Sequence, residues 1–343
     1  MELLTDLEFL WFVAFVLLLT GYALLDGFDL GVGIIHLFSS KDEERRLMLN
    51  AIGPVWDGNE VWLVTAGGAL FAGFPIAYAT ICSAFYEPVM ILLAGIIFRA
   101  VAIEFRSKMA MSWWRWMWDL FFSLASLVIA LGLGLVVGNL IHGLPMDEHH
   151  RYTGNFYNLI HPYALLVSAM TVALFTVHGA IYLLMKTEAE LHDKVRSWIN
   201  PLIITFIILY AITTVATLIY HPHMVETIRS RPLYFLIVCV NILAIANIPR
   251  EIHLARDGCA FASSCANLIC LMALYGLGTF PRLVRSIDQP ESWSLDIYNS
   301  ASSSLTLQIL LLIALIGLPL VISYTCIVYW VFHGKVKLDS HSY

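Results

Sequence analysis

The chain has 343 residues, of which 59% are hydrophobic and only 13% charged, and its mean hydropathy is +0.78. A soluble domain carries about 25% charged residues, so the composition describes an integral membrane protein with little room for a soluble domain. The net charge of −6 says little about partners, because the distribution of Lys and Arg across the membrane matters more than the total, and no nucleic-acid partner is expected.

The N-terminus is acidic (Glu2, Asp6, Glu8), whereas a cleavable signal peptide begins positively charged. A spanning helix needs ~20 mainly apolar residues, and nine stretches qualify: 9–36, 51–72, 76–102, 118–138, 162–184, 201–220, 232–248, 259–280 and 304–332. The expectation is an all-α, polytopic membrane protein with about nine transmembrane helices, residues 1–343 forming one helical membrane domain. Asp26 and Asp29 lie inside the first stretch, Asp57 and Glu60 near the start of the second, and Arg99 and Glu104 at the end of the third. Such charges in lipid cost a few kcal/mol or more, so they normally face protein or water and mark an ion or proton route.

Asp26/Asp29 and Asp57/Glu60 are spaced i, i+3, which puts each pair on one helix face. Neighbouring carboxylates share protons, so a chain of them makes a proton relay. The competing reading is a set of helix-end charges paired with Arg99, Arg106 or Lys108. It weighs equally for Glu104, near the interface, and least for Asp29 and Asp57, deeper in apolar sequence. Arg99 reads as a charge partner.

Gly27-x-x-x-Gly31, Gly134-x-x-x-Gly138 and Gly67-Gly68 read as sites of close helix packing. The cluster Trp113-Trp114-Arg115-Trp116-Met117-Trp118 reads as an interfacial aromatic belt. Pro162, Pro201 and Pro232 sit near expected helix starts, where a missing N–H costs least. His178 is the histidine best placed inside a helix; the other eleven fall in loops, in the tail or at span ends, so no haem ligand stands out. The six cysteines (Cys82, Cys239, Cys259, Cys265, Cys270, Cys326) show no CxxC or Cys/His ligand spacing, and no metal site is expected.

Thirteen Lys and Arg residues fall in one set of alternate loops and five in the other, with Arg99 inside a span. The positive-inside rule then places the N-terminus outside and the C-terminus in the cytoplasm. With that orientation Asp26, Asp29, Asp57, Glu60, Arg99 and Glu104 all lie toward the cytoplasmic side.

The stretch Gly21-Tyr22-Ala23-Leu24-Leu25-Asp26-Gly27-Phe28-Asp29-Leu30-Gly31-Val32-Gly33 closely resembles the first helix of subunit II of the cytochrome bd quinol oxidases. So does Pro54-Val55-Trp56-Asp57-Gly58-Asn59-Glu60-Val61-Trp62-Leu63, followed by Thr65-Ala66-Gly67-Gly68-Ala69-Leu70-Phe71-Ala72. Phe98-Arg99, Glu104-Phe105-Arg106-Ser107-Lys108, Trp116-Met117-Trp118-Asp119, Tyr152-Thr153-Gly154-Asn155-Phe156 and the C-terminal His341-Ser342-Tyr343 extend the likeness end to end.

The resemblance implies a bacterial inner-membrane complex that oxidises quinol and reduces dioxygen to water. Subunit I would carry two haems b and haem d. This chain would bind no haem and would pack against subunit I as a pseudo-symmetric partner, with small single-helix subunits in some members. It further implies a proton path through Asp29, Asp57 and Glu104 with Asp26 close by, an oxygen route near Trp62, and in some members a structural quinone, for which Trp56 is the contact guess. Glu104 stands where some relatives carry Asp, and the loop at 221–231 is shorter than in some. The alternative reading is a free-standing proton-coupled transporter; a third is a scaffold whose carboxylates only hold helices together.

Overall fold

The computed structural model describes residues 6–338; His341-Ser342-Tyr343 lies outside the described residues. The chain folds as α1 (Leu7–Ile35), α2 (Asp42–Ile52), α3 (Trp56–Gly73), α4 (Pro75–Ala84), α5 (Tyr86–Phe105), α6 (Ser112–His142), α7 (Pro162–Lys186), α8 (Ala189–Tyr220), α9 (Glu226–Ser230), α10 (Phe235–His253), α11 (Asp257–Thr279) and α12 (Ser304–Val331). A two-stranded antiparallel ribbon, β1 (Arg282–Val284) and β2 (Leu295–Asp296), interrupts the loop before α12. An all-helical reading did not foresee this ribbon.

Among the described residues, eight helices are long and apolar enough to cross a membrane: α1, α5, α6, α7, α8, α10, α11 and α12. The stretch expected at 51–72 forms α3. Its 18 residues make about 27 Å at 1.5 Å per residue, close to the ~30 Å hydrocarbon core. Its start, rich in Asp57, Asn59 and Glu60, lowers its mean hydropathy. The stretch expected as one helix over 76–102 is broken at Phe85, between α4 and α5.

α1 is the hub, packing against α3, α6, α7, α11 and α12. Glycine permits that centrality. A Cβ on Gly31 would fall 1.9 Å from the Phe175 carbonyl oxygen and 2.9 Å from Gly179 Cα, and one on Gly179 would fall 2.4 Å from Val32 N. α1 and α7 therefore cross backbone to backbone. Gly134 and Gly138 do the same for α6 against α7, meeting Ser168 Cα and Ala164 Cα. The packing reading of these glycines holds. Around Gly67 and Gly68 this chain itself places nothing within 4 Å: they sit on the outward side of α3.

Polar elements dress the helix ends. α2 is an amphipathic helix that buries Met48, Leu49, Ala51 and Ile52. Its Glu44 carboxylate takes hydrogen bonds from Ser39 and, at 2.7 Å, from Lys194. Burial pushes the Glu44 carboxyl up, but these two donors outweigh it and hold it below its ordinary value. Pro162 opens α7 as expected, whereas Pro201 lies twelve residues into α8. The helix starts earlier because Leu191, Val195 and Ile199, four apart, bury one face of residues 189–200. The proline's missing hydrogen bond is then a local cost that a long helix tolerates. Trp113 and Trp116 are both more than half exposed at the start of α6, as an interfacial belt requires. α12 buries only Leu307 fully and is tied to α1 by Trp11 Nε1 donating to the Leu307 carbonyl at 2.9 Å.

Candidate functional site

Three helices bring their charges to one point. Arg99, on α5, is fully buried. Its Nη1 donates to Glu60 of α3 at 2.6 Å, and its Nη2 donates to Asp26 of α1 at 2.8 Å. Asp29, one turn on in α1, is equally buried, with Oδ2 4.0 Å from the same Nη2. The close approach of α1 to its neighbours places the pair: a Cβ on Gly21 would strike Trp62 of α3, so only glycine lets α3 lie this near α1.

Asp29 is held by a second line of contacts. Asn59 Nδ2 donates to Asp29 Oδ2 at 2.7 Å and to the Leu25 carbonyl at 3.2 Å. The Tyr329 hydroxyl of α12 donates to Asn59 Oδ1 at 3.0 Å. The other oxygen of each α1 carboxylate, Asp26 Oδ2 and Asp29 Oδ1, has no protein partner, nor has Arg99 Nε.

One guanidinium thus faces three carboxylates, two fully buried and the third, Glu60, partly exposed. A buried charge must be paired or neutralised, and a single cation offsets one carboxylate. The carboxylates of this site therefore outnumber the cation that faces them.

The sequence-predicted charges divide into two groups. Asp26, Asp29, Glu60 and Arg99 converge. Asp57 does not enter the cage: it is exposed in the first turn of α3, because Gly53-Pro54 delays the helix start to Trp56. Glu104 is likewise exposed, at the end of α5. Of the cations offered as alternative partners, Arg106 pairs with Asp119 and Asp42.

Trp56 is buried in the main apolar core, and Trp62 is half-buried over Gly21. The cavity beside Asn59 and Tyr329 measures about 10 Å³, too small for a quinone ring.

His178 is closed to ligation. Its Nδ1 pairs with Ser264 Oγ at 2.8 Å, its Nε2 with the Leu24 carbonyl at 3.0 Å, and its ring stacks on Phe261. Among the described residues, no group of three or more His, Cys, Asp or Glu side chains is arranged to hold a metal ion.

Sequence reasoning passed over Asn59 and Tyr329. Asn59 had a signal, an amide between two carboxylates in an apolar stretch; Tyr329, in an apolar run near a helix end, had none. It also passed over a second ionic centre about two turns further along the chain, at the C-terminal end of α1. There Asp119 is buried and accepts from Arg106 (2.5 and 3.2 Å) and Arg45 (3.0 Å), with His36 Nε2 at 2.7 Å.

Comparison with known proteins gives this architecture its relatives. The family model described as cytochrome bd terminal oxidase subunit II matches residues 7–332. The cytochrome bd-I ubiquinol oxidase subunit 2 of Escherichia coli K12 is 33% identical, over 97% of this chain and 96% of its own length. The cytochrome bd ubiquinol oxidase subunit 2 of Bacillus subtilis 168 is 32% identical, over 97% and 98%. Among solved structures, the bd oxidase of Geobacillus thermodenitrificans matches with a TM-score of 0.79 over 95% of this chain and 98% of the matched one, at 19% identity, a likeness of fold. The chain belongs to the cytochrome bd terminal oxidase subunit II family.

Proposed function

We propose that this subunit stabilises the haem-carrying subunit I of a quinol-oxidising, dioxygen-reducing oxidase and conducts protons to it from the cytoplasm. The observation that carries the relay is the Arg99 cage: three carboxylates from two helices around one buried cation. Dioxygen reduction to water consumes protons, so a path must supply them. Glu104 and Asp57, exposed at the ends of α5 and α3, receive protons from the cytoplasmic side, and Glu60, Asp26 and Asp29 pass them inward. Protons taken from the cytoplasm, with quinol protons released outside, charge the membrane.

In this reading the two haems b and haem d, with the quinol and oxygen chemistry, reside in subunit I. The outward faces of α3 and α12 meet that partner: Gly67 and Gly68 offer it a close approach, and α12 is almost wholly uncovered. Small single-helix subunits find further apolar helix surface on α8 and α10. The complex sits in the bacterial inner membrane with this chain's N-terminus outside. Trp62 borders the oxygen route, and a structural quinone rests on the α3 face near Trp56.

The test is Asp57→Asn in the assembled complex. Oxygen uptake should fall by roughly tenfold or more, because a positioned proton-transfer group is worth about 10²–10⁴-fold. The reduced-minus-oxidised haem spectrum should stay intact. Normal uptake, or loss of haem together with activity, removes Asp57 from the path.

A further inference from the structure

The other concentration of titratable groups lies where α6 and α8 end and α7 begins. His142 closes α6, His161 caps α7 by accepting from Ala164 N at 3.4 Å, and His221 follows α8. The ring centroid of His142 is 4.3 Å from that of His161 and 5.3 Å from that of His221. His221 also lies 4.2 Å from Tyr163 and 5.9 Å from His223. Among the described residues no ion pair joins these four imidazoles to a carboxylate.

Beside them is a cavity of about 160 Å³ whose polar wall is His223, Glu226, Thr227, Thr279, Arg282 and Arg285. Arg282 shares its charge with Glu291 at 2.7 Å. Among the described residues Arg285 has no such partner: its Nη1 is buried and makes no hydrogen bond, and the same is true of His142 Nδ1 and His221 Nε2. The positive potential is felt locally. Burial first, then the neighbouring imidazoles and Arg285, hold His221 down at about 4. Burial and Arg285 lower His223 as well.

A buried guanidinium N–H without an acceptor is costly, and the planar fork of Arg suits the oxygens of an oxyanion. The cavity has the volume of about five waters at roughly 30 Å³ each. Its one carboxylate, Glu226, faces two guanidinia and a histidine.

We propose that this cavity is a binding site for a phosphate group, with Arg285 as its principal donor and Arg282 and His223 at its wall. The group is either the phosphodiester of an anionic phospholipid or free phosphate; both present the same oxygens to the fork.

Two measurements on the intact complex separate the sources. The first is native mass spectrometry after delipidation and re-addition of phosphatidylglycerol, comparing wild type with Arg285→Gln and Arg282→Gln. The second is the melting temperature in inorganic phosphate against chloride at matched ionic strength. Retention of one more phosphatidylglycerol by wild type than by Arg285→Gln, at roughly ten- to a hundredfold higher affinity, the worth of a charge-assisted hydrogen bond, assigns the site to lipid. A phosphate-specific rise in melting temperature that Arg285→Gln abolishes assigns it to the free ion. Where Arg285→Gln fails to assemble, Arg282→Gln and Arg285→Lys must each weaken the same binding. Equal lipid retention by all forms, with no phosphate-specific shift, overturns the proposal.

Discussion

The Arg99 cage makes a prediction that distinguishes a counter-charge from a bystander. Replacing Arg99 by Gln removes the donors to Glu60 and Asp26 and the cation nearest Asp29. Two of those carboxylates are fully buried and the third nearly so. Removing one partner of a buried pair costs about 3–5 kcal/mol, because a charge is left unpaired, so the folded-to-unfolded ratio should fall by roughly 10²- to 4 × 10³-fold at about 1.4 kcal/mol per tenfold. The second substitution is the discriminating one. Asp26→Asn in the Arg99→Gln background removes one of the stranded charges and should return a part of the loss. The coupling between the two sites should then exceed about 1 kcal/mol, within the range measured for residues in one network. The assay is reversible denaturant unfolding of the four forms in the same detergent or bilayer. Additivity within about 0.5 kcal/mol, the behaviour of independent sites, would refute the reading of Arg99 as the charge that holds the carboxylates.

Gly31→Ala should destabilise by at least about 1–3 kcal/mol, the usual cost of overpacking, since its Cβ meets the Phe175 carbonyl, which cannot rotate away. Gly67→Ala, with open space around it in this chain, should leave the isolated subunit unchanged and weaken only its association with the partner; equal thermal unfolding of the two variants would contradict this. Asp119→Asn leaves the buried Arg106 guanidinium with Asp42 as its one remaining carboxylate and should cost about 1–3 kcal/mol without touching the Arg99 cage, which denaturant unfolding alongside Arg99→Gln can verify through additivity. His161 and His221 are both held at about 4, by burial first and by neighbouring histidines second, below the ordinary 6.5. The opened state therefore binds protons that the folded state refuses, and stability is complete above about pH 6.5 and lost as pH falls toward 4. A melting profile in phosphate-free buffer should show that slope, flattened in the His161→Gln/His221→Gln double variant; parallel profiles would exclude these two as its source.

Membrane class and the membership of the cage were legible in the sequence for different reasons. Composition alone excludes a soluble protein, and an i, i+3 carboxylate pair inside an apolar stretch has few places to point except into protein. Arg99 could be named as a partner because a third-helix cation at the same depth is the cheapest compensation. Hydropathy could not say which carboxylates the cation would reach. It placed Asp57 near the start of a span, and the structure has it in the exposed first turn of α3, which begins at Trp56 after Gly53-Pro54. Nor could it see Pro201 as internal, because the amphipathic first turns of α8 are too polar to read as membrane. The Asp119 centre stayed hidden for a similar reason: His36, Arg45, Arg106 and Asp119 come from separate segments, each unremarkable at a helix end, and only the packing of α1 against α6 unites them.

These two ionic centres imply a division of labour along α1. At Asp119 one carboxylate faces two guanidinia, one of them shared with Asp42, and a third side chain, His36, completes its shell; both of its oxygens are taken by these partners, so that oxygen pair is fixed. At Arg99 the ratio is inverted, one guanidinium to three carboxylates, and two carboxylate oxygens remain without partners. A saturated centre locks the helix ends, and an undersaturated one can change its charge without losing its geometry, because Asn59 and Tyr329 hold Asp29 by neutral hydrogen bonds. This bears on where damage should appear. Asn59→Leu leaves every charge of the cage in place but frees Asp29 and removes the link to α12. If the undersaturated centre is a relay, oxygen uptake should fall more than stability does. If both centres serve only to brace α1, Asn59→Leu should lower stability alone and leave turnover by the assembled oxidase unchanged.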